Sequence, residues 1–307
     1  MAALLSSLLS SVGIKAQMIL LSPRSAGTTP QLPPTRFDHA IARVETSGGW
    51  QWVDATADQL PYGYLPYMDQ GVPALIIDPS TTNLTISPVS EAETKTGKID
   101  IDLSADGSMK GTFEGDYSGN SAWVMRSAVQ SLGVERQTQL GQAMTGSLVP
   151  GSSNDSCTFD GTDTPDSDVI LKLKYHEDNY AASAGSLLLL KLPWAQDFIR
   201  LLQPLEGPAP RTTPFELGLA RGTEITTIHI TLPAGYTPDS LEKPLKISSQ
   251  WGECDFDFTA DAVGITAKRT LKLDPMRIEV ADIPAFTAFI KKADTESQKQ
   301  IVIKSAN

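Results

Sequence analysis

The sequence predicts an α+β chain: a helix with a small antiparallel sheet over residues 1–88, then a large antiparallel β-sandwich over 92–307. Three observations carry this. A leading apolar run repeats with helical spacing. Two aromatic and β-branched runs flank a Gly-containing turn, and beyond Asp78 one alternating strand pattern follows another. A length of 307 residues suits two domains, or three.

In the leading run, Leu4, Leu5, Leu8, Leu9 and Val12 recur on one face of a helix, with serines opposite and Gly13 just past its end. Such a stripe predicts a helix buried in a core. No basic residue precedes it and no Ala-x-Ala site follows, so it lacks the marks of a signal peptide. No apolar run reaches the roughly 18 residues of a membrane span. A strand is expected at Gln17–Leu21.

Next comes Phe37-Asp38-His39-Ala40-Ile41-Ala42-Arg43-Val44, the connection Glu45–Gly49, and Trp50-Gln51-Trp52-Val53-Asp54-Ala55-Thr56. This is a hairpin signal. If Val44 pairs with Gly49, His39 lies directly across from Asp54, where Cβ atoms on one face are about 5 Å apart. An imidazole N–H could then donate to the carboxylate, the orienting contact of a nucleophilic triad. A one-residue slip would separate the two groups, and a surface His–Asp pair with no chemistry uses the same pattern.

After the hairpin come Leu60-Pro61-Tyr62-Gly63-Tyr64-Leu65-Pro66, Gln70-Gly71 and Ala74-Leu75-Ile76-Ile77-Asp78. With the helix, the Val12-Gly13-Ile14 turn and the two hairpin motifs, these pieces in this order resemble the second half of a transglutaminase-like core, a papain-like cysteine fold. The similarity is to bacterial proteins in which that core sits between β-rich domains. The resemblance implies a Cys-His-Asp site, with His39 as base and Asp54 as orienting acid. It also implies a nucleophilic cysteine in a Gly-x-Cys-x-Asp segment just before the Ala-Leu-Leu helix. The chain begins at Met1 without that segment. The expectation is therefore a truncated protein, inactive as it stands. Trp52, Tyr62 and Tyr64 are candidates for a substrate cleft, as is Tyr67, although packing would explain the tyrosines equally well.

Pro79–Asn83 and Pro88 form a polar connector. Lys98–Leu103 and Met109–Tyr117 then flank an Ala105-Asp106-Gly107-Ser108 turn with clear period-2 alternation. One helix is expected from Ala122 to about Leu148, interrupted at Gly133. Strands follow at 169–175, 187–192, 215–219, 224–232, 245–250, 253–260, 264–273 and 277–280, spaced as in a sandwich. Pro284 suits the first turn of a helix over 284–293, and Gln300–Lys304 is a last strand. Pro214–Leu217, Ile230–Tyr236 and Ile301–Lys304 also resemble the C-terminal β-domain of the same proteins, which supports architecture and says little about chemistry.

Other candidates are weaker. Cys157 follows a Gly/Ser/Asn loop and Cys254 sits in an alternating strand. Neither has a neighbouring base to make a thiolate, and whether they pair stays open. The acidic run 160–168 lacks EF-hand spacing and reads as a solvated turn. His176 and His229 are isolated, and His229 should point outward between Ile228 and Ile230. No cofactor and no metal centre is expected. The net charge of -11 and scattered basic residues argue against nucleic acid. For the complete protein the resemblance implies a protein or peptide substrate, amide hydrolysis or cross-linking, and a periplasmic or secreted place in the cell envelope. The alternative function is a non-catalytic β-sandwich binding or structural module.

Overall fold

Apolar side chains recurring at every second residue build this molecule. In a computed structural model, which describes residues 1–24, 37–132, 134–194, 197–207, 210–217, 221–274 and 277–306, they line two cores. The first belongs to a five-stranded antiparallel sheet. Its strands are β1 (Ala16–Leu21), β2 (His39–Thr46), β3 (Gly49–Val53), β4 (Pro73–Ile76) and β5 (Thr85–Ile86), in the order β3-β2-β1-β4-β5. Ile19, Leu21 and Ile41 point to one face and bury Leu65, Val72 and Ala74 with them. Helix α1 (Ala2–Ser11) lies against β1 and β2.

The second core is larger. Strands β6 (Glu93–Leu103) and β7 (Met109–Tyr117) lead into helices α2 (Gly119–Gln130) and α3 (Val134–Leu148). Then come β8 (Ser153–Asp160), β9 (Val169–Glu177), β10 (Ala182–Ala184), β11 (Leu187–Lys191), the short helix α4 (Asp197–Leu202) and β12 (Phe215–Glu216). The chain continues through β13 (Gly222–Thr231), β14 (Tyr236–Ser240), β15 (Leu245–Ser249), β16 (Gly252–Ala260), β17 (Gly264–Leu273), β18 (Arg277–Ile278), α5 (Ile283–Ser297) and β19 (Gln300–Ser305). Eight strands form one sheet, β15-β16-β17-β13-β6-β7-β9-β8, and four form another, β10-β11-β19-β14, with β12 and β18 as a separate pair. Ile99, Ile101, Leu171, Leu173, Ile228 and Ile230 of the large sheet share a core with Ile303 of the smaller sheet and Phe286 of α5.

The α+β expectation is overturned. Strand outweighs helix by nearly two to one, and the helices flank sheets, so the chain is mostly β and is not half of a helix-containing transglutaminase-like core. The leading helix misled the reading: of its residues only Ala2 is buried, while Leu4 and Leu8 are 59% and 58% exposed. The large sheet also departs from pure antiparallel order, because β6 runs parallel to β13, with Ile99 beside Ile228. The single helix expected from 122 is two helices; Gly133, the expected break, lies outside the described residues, as do Gly218 and Leu219 of the expected 215–219 strand. Among the described residues no helix is long and apolar enough to cross a membrane.

One junction ties the two cores together. Glu93, buried at the start of β6, accepts hydrogen bonds from the Asn120 and Ser121 backbone N–H groups at 2.7 and 3.2 Å. It thereby caps α2, whose own Ser118 makes no side-chain cap. Gly119 adopts φ +53°, and a Cβ there would stand 2.6 Å from a Glu93 carboxylate oxygen, so only glycine fits the approach. Asn120 in turn accepts from the Tyr67 N–H at 2.8 Å, fixing the turn that follows the five-stranded sheet's long loop.

Candidate active site

The hairpin register differs by two residues from the expected one. Thr46 pairs with Gly49 around a two-residue turn, Ser47-Gly48, so that Val44 faces Gln51 and Ala42 faces Val53. Extending this register places Asp54 beside Ile41 rather than beside His39. A shift of two preserves the face, since side chains alternate with period two. His39 and Asp54 therefore meet on a diagonal, with His39 Nε2 3.0 Å from Asp54 Oδ2.

Asp54 is well fixed. It lies just past β3, nearly fully buried, and its Oδ1 accepts from the Thr56 N–H at 2.9 Å and the Thr56 hydroxyl at 2.8 Å. This side-chain turn satisfies backbone donors where the strand ends. It also aims Oδ2 at the imidazole. His39 opens β2 opposite Leu21 of β1, with its ring partly exposed.

A third group, not foreseen from sequence, completes the cluster. Asp69 ends a short 3-10 turn, Tyr67–Asp69, and is 1% exposed. Its Oδ2 stands 3.5 Å from the same His39 Nε2. Burial, then the neighbouring Asp54 carboxylate, raise the Asp69 pKa to about 7, against the pull of His39 and Arg24. The only sequence signal was an acid in the apolar run Leu65-Pro66-Tyr67-Met68, directly before Gln70-Gly71. Ligand atoms of His39, Asp54 and Asp69 lie within 4.8 Å of one another, which is also a spacing that could hold a cation.

The cleft candidates divide. Tyr62, 72% exposed, and Tyr64 line a shallow cavity of about 330 Å³ that also touches Asp54, Leu60 and, from the 160–168 loop, Pro165 and Asp166. Trp52 instead packs into the small core and is 8% exposed. Tyr67 serves as an anchor: its N–H reaches Asn120 and its carbonyl accepts from Arg24.

The two cysteines are remote from this site and from each other. Cys157 on β8 and Cys254 on β16 are six strand spacings apart in the large sheet, about 29 Å, so they cannot bridge within the chain, and both are free thiols. Burial pushes both thiol pKa values up, that of Cys254 to about 12. His176 pairs with Asp155 at 2.8 Å, and His229 faces outward toward Thr266. The acidic run 160–168 forms no metal-type cluster among the described residues.

A family model, a domain of unknown function with a solved structure (DUF3858), matches residues 193–303. No curated protein matches the chain. A crystal structure from Parabacteroides distasonis, provisionally named a protease, superposes with a TM-score of 0.52 at 13% identity, covering 99% of this chain and 43% of that one. The chain thus spans less than half the length of a protein whose fold it shares.

Proposed function

We propose that this chain carries the base and the orienting acid of a thiol acyl-transfer site, the chemistry implied by its resemblance to transglutaminase-like proteins. The observation that carries the reading is the Asp54 hydrogen bond to His39 Nε2. It leaves Nδ1, which has no hydrogen bond among the described residues, as the atom that can exchange a proton with a nucleophile.

In such a reaction His39 Nδ1 takes the thiol proton as sulfur attacks an amide carbonyl. The imidazolium then returns that proton to the departing amine as the C–N bond breaks. Asp54 holds the Nε2 proton and balances the imidazolium charge. Water or an amine would resolve the acyl-enzyme by hydrolysis or cross-linking. The cleft beside Tyr62 and Tyr64 would seat the peptide.

The nucleophile must come from polypeptide outside these residues, since Cys157 and Cys254 lie in the far sheet with raised pKa values. Two facts support this. The chain corresponds to 43% of a longer protein of the same fold. Leu4 and Leu8 on α1, with Val12 just past its end, expose an apolar stripe that further chain could cover. A peptide substrate and a place in the cell envelope rest on the resemblance alone.

The test uses the reading frame extended upstream of Met1. The added segment should contain a Gly-x-Cys-x-Asp motif, and a thiol-directed amide probe should label that cysteine. His39→Ala should slow labelling by about 10²-fold or more. In the present chain Cys157 and Cys254 should react at the same rate with or without His39. An in-frame stop directly upstream, or labelling indifferent to His39, would leave the binding-module reading in its place.

A further inference from the structure

We propose that Asp69 is a working member of the site, a positioning residue that joins Asp54 in a carboxylate pair gripping Nε2 of His39. Its purpose rests on the acyl-transfer reading; the coupling itself does not. Both Oδ2 atoms approach the one ring nitrogen, Asp54 at 3.0 Å and Asp69 at 3.5 Å, from separate chain segments.

Several contacts fix the position of Asp69. Its N–H donates to the Pro66 carbonyl at 2.9 Å, and its carbonyl accepts from the buried Ser87 hydroxyl at 2.5 Å. Gln70 alongside donates to the Leu65 carbonyl at 2.7 Å and accepts from the Ser90 N–H at 3.0 Å. The turn is therefore built to hold this carboxyl inside. Its Oδ1 has no hydrogen-bond partner among the described residues, a costly state for an acid whose only role is structural. Burial and the adjacent Asp54 charge favour the protonated form of Asp69.

The charged groups around Asp69 define how the unit titrates. His39 on β2, Asp54 after β3 and Arg24 after β1 face Asp69, and Tyr67 on its own turn and Glu216 on β12 face Arg24 in turn. When Asp69 holds the proton it donates to Asp54, and His39 has one anionic neighbour. When Asp69 ionises, a second negative charge stands against Nε2. The Asp69 midpoint therefore belongs to the cluster rather than to one isolated carboxyl. Through either state Nε2 stays protonated and Nδ1 stays available.

The experiment is an NMR titration of the imidazole nitrogens in the full chain, whose three histidines can be assigned with His176→Gln and His229→Gln. His39 should show the Nε2–H tautomer when neutral and two inflections. Asp69→Asn should reduce these to one and lower the midpoint by at least half a pH unit. Unchanged His176 and His229 signals would certify the fold, and Asp69→Glu should restore the second inflection. A single inflection unmoved by Asp69→Asn would overturn the assignment. So would stoichiometric zinc chloride shifting the His39 signals alone, since the pair would then be metal ligands. If the labelling test fails while the two inflections persist, the acyl-transfer reading falls and the carboxylate pair stands.

Discussion

Arg126→Ala is expected to destabilise the protein by about 3–5 kcal/mol, seen as a lower urea midpoint and new proteolytic sensitivity between residues 57 and 66. Arg126 is fully buried on α2. Its Nη1 donates to the Gln59 carbonyl at 2.8 Å, and its Nη2 reaches the Gly161 carbonyl at 3.4 Å and the Ser167 carbonyl. One guanidinium thus staples the loop after Asp54 to the 160–168 loop, the two walls of the tyrosine-lined cleft. Burial lowers its pKa, with Asp166 and Asp168 opposing the shift, so the charge is retained by its surroundings. Alanine would strip the donor from these part-buried carbonyls, a loss of about 1 kcal/mol or more each, and remove the packing of a buried side chain. Arg126→Lys keeps the charge but not the planar fork, and should recover less than half of the loss. A cost below about 1 kcal/mol for the alanine variant would show that the staple is not structural.

The strands of the large sheet were legible because each buries one face, as in β6, where Ile99, Ile101 and Leu103 point inward and Asp100 and Asp102 do not. Elements missed in the sequence are those without that pressure. β14 contains Pro238 and shifts register beside it, as a strand at a sheet edge can. β8 is the other kind of edge, polar along most of its length, and only its start near Cys157 was legible after a Gly/Ser/Asn loop.

The His39–Asp54 pair was legible for a reason that survived a register error. Parity decides the face, and the observed pairing differs from the expected one by an even number of residues. Asp69 was not legible, since nothing in Tyr67-Met68-Asp69 says that the turn bends inward; that depends on Ser87 and Asn120, 18 and 53 residues away from their partners in the turn. The helix failed for the opposite reason. Its spacing was right, yet periodicity cannot say whether a partner covers the stripe, and Leu4 and Leu8 remain outside the core.

Stability should fall as pH rises from about 4 to about 7 by an amount that disappears in Asp69→Asn. The Asp69 carboxyl has its pKa raised from 3.8 to about 7 in the folded chain, first by burial and then by the Asp54 charge. Between those values the native state holds a proton that the unfolded state has released. The unfolded state binds fewer protons, so the slope of unfolding free energy with pH is negative across that window. Below about pH 4 both states are protonated and the full contribution is present; it is lost as pH climbs through about 7. The expected drop is on the order of a few kcal/mol. Asp106 and Asp261, exposed, and Asp78, half-buried, are held below the usual carboxylate range by hydrogen bonds and give the opposite slope, but in more acidic solution. Asparagine at 69 cannot ionise, so urea unfolding of the variant from pH 4.5 to 8 should show the flatter profile, with the two curves diverging most above neutrality. Parallel curves would mean that Asp69 is charged at all these pH values, with His39 and Arg24 outweighing its burial.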